Sequence, residues 1–257
     1  TPIKSSAASD VYKRQVEKFV KNDGVVVFYT FSNGKMYFSG LEDKYPVKYQ
    51  KQGSYVGGLF VFESKLTQEF RLHFDEKIAE MFQSIGIREG SVWIEVFHDG
   101  ENYYFNEVGF RYGGSVSIYP VDYFYQINQV AADIHYALTG ESCISEHTSL
   151  IRSTLPRKKY YCIYPVHINA GTISSISGLD KIAQLENIVY LATTKYLHDR
   201  IESSGSFSQV FALVHFVCNT TEECIQTIDR IHQMLVVFDE HGNNMVNRML
   251  DVGKIIF

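Results

Sequence analysis

The spacing of apolar and polar residues changes period several times along the chain, and each change marks an element. Val25–Phe31 and Lys35–Gly40 are rich in β-branched and aromatic residues and flank Asn33-Gly34. That pattern predicts two strands joined by a tight hairpin turn. Glu42–Tyr55 is polar, contains Pro46 and Gly53, and is expected to be a loop carrying Lys44 as a solvated side chain. Gly57–Phe62 is a short apolar strand. From Thr67 to Ile85 the period becomes helical, with Phe70, Phe74, Ile78, Phe82 and Ile85 on one stripe and Gly86 as the stop. Val92–Phe97 and Tyr103–Val108 return to strand composition. A second helix is expected after Pro120, with Asp122 as N-cap, Ile127, Val130, Ile134 and Leu138 facing inward, and Gly140 as its end. His135 sits beside those core positions and is read as structural.

Glu141–Lys159 is polar, with Pro156 and the basic run Arg157-Lys158-Lys159, and is expected to be a solvated domain boundary. Beyond it, Tyr160–Ile168 and Thr172–Ser177 are expected to form a hairpin across Asn169–Gly171. Ile188–Leu197 and Gln209–Cys218 read as strands. Thr220-x-x-Glu223 is a capping box opening a helix with Cys224, Ile228, Ile231 and Leu235 on one face. Residues 1–15 differ from all of this. SSAASDVYKRQ resembles translated sequencing-adapter read-through, so the native chain is expected to be truncated upstream of about Val16 and the tail to pack on nothing.

Composition narrows the function classes. A content of 45% apolar and 21% charged residues is that of an ordinary globular protein. The net charge of −5 leaves no basic footprint for nucleic acid or a membrane surface. No apolar run approaches the length of a membrane span, and no signal peptide is visible, so a cytoplasmic location is expected. The four cysteines form no C-x-x-C pair and read as buried thiols in a reducing compartment. The nine histidines show no metal-ligand spacing. No P-loop, G-x-G-x-x-G or H-E-x-x-H motif is present.

The chemistry concentrates in Ser91–Ser115, SVWIEVFHDGENYYFNEVGFRYGGS. Each of its two strands embeds one acid among apolar neighbours, Glu95 and Glu107. Carboxylates are rarely buried unpaired, so two of them need a partner. A three-residue loop at Gly100–Asn102 sets them opposite each other on one face, with Cβ atoms roughly 4.5–5.5 Å apart. Opposed like charges repel, and a cation between them relieves this; oxygen-only ligands suit Mg²⁺. A two-residue Asp99-Gly100 turn instead puts the acids on opposite faces and removes the metal argument. Spacing alone leaves both registers open.

The segment IEVF…FNEVGFR resembles the metal-binding end of the ATP-grasp superfamily, and its wording is similar to that of the carboxyaminoimidazole ribonucleotide synthetases. Biotin carboxylases share the acid–acid–arginine spacing. The resemblance implies that Glu95 and Glu107 are Mg²⁺ ligands (Mn²⁺ substituting) and that Arg111 faces the phosphates or an acyl-phosphate. Many members read Glu-x-Asn, with the Asn a further ligand, whereas this chain has Gly109 there. VEKFV at Val16–Val20 resembles the superfamily's hinge, which implies that Glu17, Lys18 and Val20 line an adenine slot.

The element order after Tyr160 is similar to the C-terminal module of amino-acid ligases. The implied layout is a non-native tail at 1–15, the C-terminal part of an ATP-grasp domain at 16–140, a linker at 141–159, and a small α+β module at 160–257. The implied fold class is α+β, an antiparallel sheet with packed helices. The implied activity is that of an ATP- and Mg-dependent ligase joining a small-molecule carboxylate to an amine through an acyl-phosphate, with a homodimer left open. This fragment would lack the N-terminal domain, the phosphate-covering glycine-rich loop and an ATP-contacting lysine, and would be inactive alone. The alternative is a grasp-like module that binds nucleotide or a partner without chemistry.

Overall fold

The computed structural model describes residues 20, 24–144 and 159–257. Eight strands form one antiparallel sheet: β1 (Gly24–Ser32), β2 (Lys35–Tyr49), β3 (Ser54–Phe62), β4 (Gly90–His98), β5 (Tyr103–Gly109), β6 (Tyr160–His167), β8 (Ile188–Thr193) and β10 (Val210–Cys218). Their spatial order is β5-β4-β1-β2-β3-β6-β10-β8. A smaller antiparallel sheet holds β7 (Gly171–Ser177), β9 (Arg200–Ile201) and β11 (Val236–Asp239) in the order β11-β7-β9. The helices are α1 (Thr67–Ser84), α2 (Ile118–Tyr125), α3 (Gln129–Thr139), α4 (Leu179–Ala183) and α5 (Thr221–Met234). Because β3 pairs with β6, the sheet runs continuously from the segment before residues 141–159 to the segment after them.

The β1–β2 hairpin turns at Asn33-Gly34 as expected, with both residues at positive φ (52° and 76°), the geometry whose twist matches the flanking strands. Helix α1 ends in a Schellman motif. Gly86 at φ 77° lets its own N–H reach Gln83 O and the Ile87 N–H reach Phe82 O. Phe70, Ile78 and Phe82 are buried against Val25, Val27, Tyr29 and Phe31 of β1, each contributing about 1.5–3 kcal/mol of apolar burial. Ile85 is beyond the helix end and 67% exposed, so it does not belong to the stripe.

Three other expectations are corrected. Glu42–Tyr55 is not a loop, because β2 continues to Tyr49 and β3 begins at Ser54. Pro46 is accommodated where the β2–β3 register shifts, between Tyr45 and Pro46. The second helix is two helices. Gln126 adopts a left-handed conformation (φ 54°) that ends α2, and the Asn128 side chain caps α3 by accepting from Ala131 N. Ile134 and Leu138 consequently lie on the exposed side, at 56% and 81%. Finally, β6 and β7 are not a hairpin. Ile168 bridges Val246 and Asn169 N donates to Met245 O, which carries the chain out of the large sheet, and β7 pairs with β11.

Among the described residues no helix is long and apolar enough to cross a membrane. The tail at 1–15, Glu17, Lys18, and the boundary residues 145–158 lie outside the described residues. Val20 is described and is half-buried.

Candidate active site

The β4–β5 hairpin reaches the paired register by a route that neither turn considered from the sequence provides. Its turn has four residues, Asp99–Asn102, between the partners His98 and Tyr103. The Asp99 carboxylate accepts from Asn102 N at 2.8 Å and Glu101 N at 3.0 Å, and these bonds hold its pKa down to about 2. Pairing then runs Phe97 with Tyr104 and Val96 with Phe105, after which the register shifts and Glu95 faces Glu107. Asn106 is the extra residue of a β-bulge. Without it Glu95 would face Asn106, and Glu107 would move to the other side of the strand. The Asn106 amide instead donates to Glu95 Oε2 at 2.6 Å.

The row extends further than the sequence suggested. Glu95 pairs across β1 with Val26, and Val26 pairs with Glu42 of β2. Directly opposed residues of antiparallel strands share a face, so Glu42, Glu95 and Glu107 line one side of the sheet. Glu42 is 1% exposed, and among the described residues its Oε2 has no hydrogen-bond partner. Desolvation by burial raises its pKa well above the usual carboxylate range, with Lys44 pulling the other way and Asp43 adding to the rise. Glu107 is exposed.

Lys44 is not a solvated loop residue. Its ammonium pairs with Glu95 Oε1, with side-chain exposures of 9% and 18%. The two residues are on β2 and β4, with β1 between them. The β1 residue in the Lys44 row is Gly24, which pairs with both Lys44 and Phe97. A β-carbon on Gly24 would collide with the Val96 and Phe97 backbone of β4, and Lys44 Nζ lies beside the Phe97 ring, 5.7 Å from its centroid.

Arg111 lies next to this face. Its guanidinium stacks over the Trp93 indole, Cζ to ring centroid 4.9 Å, and Nη1 donates to Tyr112 O at 2.9 Å. Trp93 pairs directly with Gly109, and a β-carbon on residue 109 would overlap its indole ring. The missing Asn of the Glu-x-Asn pattern therefore has a local cause: the space is filled by Trp93.

The Gly113–Ser117 loop crosses the same face, where a β-carbon on Gly113 would meet Phe28 and the Ser117 hydroxyl. Beyond the loop stands an aromatic cluster that no pattern in the sequence groups. Tyr119 stacks on Tyr190 (4.3 Å between centroids), and both rings, with Tyr161, surround His215. His215 is fully buried, and its Nδ1 is 3.1 Å from Tyr161 Oη. Burial lowers its pKa to about 3, against the pull of the Ser115 backbone, so the ring is neutral. The residues are distant in sequence and have no shared spacing, and the pairing of β6, β8 and β10, with Tyr119 brought in from α2, is what groups them.

Glu95 and Glu107 offer only carboxylate oxygens, with the Lys44 ammonium and the Asn106 amide already on the two Glu95 oxygens and Glu42 in the same row. That chemistry fits a hard divalent cation, Mg²⁺ or Mn²⁺, holding phosphate oxygens as its remaining ligands.

The long antiparallel sheet covered by helices has the α+β fold of solved ATP-grasp enzymes. Solved structures with the same fold include the L-amino acid ligase from Bacillus licheniformis (TM-score 0.68, 20% identity, 86% of this chain and 55% of that one). Phosphoribosylglycinamide synthetase from Anaerococcus prevotii matches with a TM-score of 0.69 at 13% identity over 90% of this chain and 57% of that one. The biotin carboxylase domain of 2-oxoglutarate carboxylase from Hydrogenobacter thermophilus, solved with MgADP and bicarbonate, matches at 0.63 and 14% identity over 86% and 47%. The chain thus spans about half the length of the structures it matches. No family model and no curated protein sequence matches it.

Proposed function

We propose that the chain is part of an ATP- and Mg-dependent ligase that joins a small-molecule carboxylate to an amine or similar nucleophile. The observation that carries this reading is the register that sets Glu95 opposite Glu107, with Arg111 stacked on Trp93 beside them. Glu95 and Glu107 would hold the cation. When bound, it would neutralise charge on the transferring phosphoryl group. Arg111, anchored on the indole, supplies a fixed fork of donors toward the same charge, and such preorganised donors lower the barrier without reorganising. Lys44 pairs with Glu95 Oε1 and so fixes the direction of that carboxylate along the face. By the resemblance, Glu17, Lys18 and Val20 would line the adenine slot. The ligase would act in the cytoplasm, and a homodimer remains compatible with this reading.

A second reading, binding of nucleotide or a partner without chemistry, is favoured by two observations. Lys44 already supplies Glu95 with a cation, and Gly109 supplies no ligand. Substituting Glu107 with Gln separates the two. The side chain is exposed, so stability should change by no more than about 0.5 kcal/mol. Mg-dependent phosphate release should fall by about 10²-fold or more. Wild-type turnover in that variant would remove Glu107 from the site. Nucleotide binding with no turnover in the parent protein would establish the second reading.

A further inference from the structure

Cys162 on β6, Cys218 at the end of β10 and Cys224 in the first turn of α5 converge on one point in the core beneath α5. Cys162 Sγ lies 3.7 Å from Cys218 Sγ and 3.8 Å from Cys224 Sγ, and all three sulfurs lie within 4.8 Å of one another. Cys162 and Cys224 are fully buried and Cys218 is 3% exposed. The three are free thiols. Among the described residues they are the one group of three metal-ligating side chains this close together.

The sulfur spacing has a geometric meaning. A Zn–S bond of about 2.3 Å requires tetrahedral ligand atoms about 3.8 Å apart. The two short edges already have that length, so an ion could enter without moving the strands. An all-sulfur donor set selects soft ions, Zn²⁺ or Cu⁺, over the hard cation suited to Glu95 and Glu107. Cys218 also forms part of the wall of a cavity of about 700 Å³, together with Asn187, Asn219, Glu223, Thr227 and Arg230. The cavity provides both an entry path and room for a fourth ligand. The N-terminal end of α5, which holds Cys224, offsets part of the charge of thiolates here, while the cavity wall carries Arg230 and Lys159 balanced by Glu186 and Glu223.

We propose that Cys162, Cys218 and Cys224 form a three-thiolate site for a thiophilic d¹⁰ cation, with Zn²⁺ as the occupant and its fourth ligand taken from the cavity. The ion would fasten α5 to β6 and β10. This is independent of the ligase reading, since none of the three sulfurs belongs to the Glu95–Glu107 row.

The test is a Co²⁺ titration of the reduced chain, with Cys143→Ser introduced to remove the only other thiol. The expected result is one equivalent bound, with sulfur-to-cobalt charge-transfer bands and the intense visible bands of a four-coordinate ion. Zn²⁺ should displace the cobalt stoichiometrically and raise the melting temperature. Competition with a chromophoric Cu⁺ chelator distinguishes the two ions; tighter capture of Cu⁺ with no Zn²⁺ binding would overturn the choice of Zn²⁺. Cys218→Ser, a conservative change at the cavity wall, should weaken Co²⁺ binding by more than about 100-fold, more than loss of a supporting group does. Absence of charge-transfer bands in the folded Cys143→Ser protein would overturn the proposal, as would undiminished binding in Cys218→Ser. The cobalt spectrum needs no core variant, so it decides the matter even where Cys218→Ser does not fold.

Discussion

Trp93 faces Gly109 across the β4–β5 ladder, and its indole occupies the volume that any side chain at 109 would need. Gly109→Asn is therefore expected to destabilise the protein by about 1–3 kcal/mol, the usual cost of overpacking. Pairing it with Trp93→Val should recover most of that loss, because the two changes share one space and are not additive. Urea denaturation of the two single variants and the double variant checks this. Equal losses for Gly109→Asn with and without the Trp93→Val change would show that the ring is not the obstacle.

The Lys44–Glu95 pair is the second relationship with an energetic consequence. Both side chains are mostly buried, so removing one partner leaves a poorly hydrated charge. Lys44→Met should cost about 3 kcal/mol, at the low end for buried pairs because Glu95 keeps some exposure and the Asn106 bond. Lys44→Met combined with Glu95→Gln should cost less than the sum of the singles by at least about 1 kcal/mol. Additive losses in chemical denaturation would mean that the two groups do not depend on each other.

How far the sequence led can be read from these residues. The Asn33-Gly34 hairpin, the α1 stripe apart from Ile85, and the Thr220 cap rest on neighbours a few residues apart and were legible. The opposition of Glu95 and Glu107 was legible as one of two registers, but its cause was not, because a bulge at Asn106 leaves no compositional mark. Glu42 and Lys44 were missed together. Their segment is polar and contains Pro46, so it reads as a loop, while the burial that makes it a strand comes from β1 and β3 on either side. The partner that buries the Lys44 charge is 51 residues away. The expected β6–β7 hairpin failed for a similar reason: Asn169–Gly171 has turn composition, but pairing of Ile168 with Val246 near the C-terminus decides where the chain goes.

His215 makes acid stability a test of the aromatic cluster. Burial lowers its pKa from the usual 6.5 to about 3, so the unfolded chain binds a proton that the folded chain refuses. The contribution is complete above about pH 6.5 and is lost as pH falls toward 3. His215→Phe removes this titration. Its stability should decline less steeply than that of the parent between pH 6.5 and 4, measured by chemical denaturation at each pH. Parallel slopes would mean that the imidazole takes up its proton inside the fold.

Glu42 should produce the opposite slope. Its carboxyl sits at the base of the Glu95–Glu107 row with one oxygen unpartnered among the described residues, and burial raises its pKa well above the ordinary value of 4.5. The folded protein therefore holds a proton that the unfolded chain releases above that value. Stability from this group is fully present below about pH 4.5 and is lost as pH rises toward the folded-state value. Glu42→Gln keeps the shape of the protonated acid and abolishes the titration. It should be more stable than the parent at pH 8, with the gap closing as pH falls to 4.5, in denaturation series without divalent ions. Added Mg²⁺ should then narrow the gap at pH 8 if Glu42 joins Glu95 and Glu107 around the ion, because binding to the folded state stabilises it only where the ligand is ionised. A Glu42→Gln protein less stable than the parent at pH 8 without metal would show that the Glu42 carboxylate is ionised and paired in the folded protein.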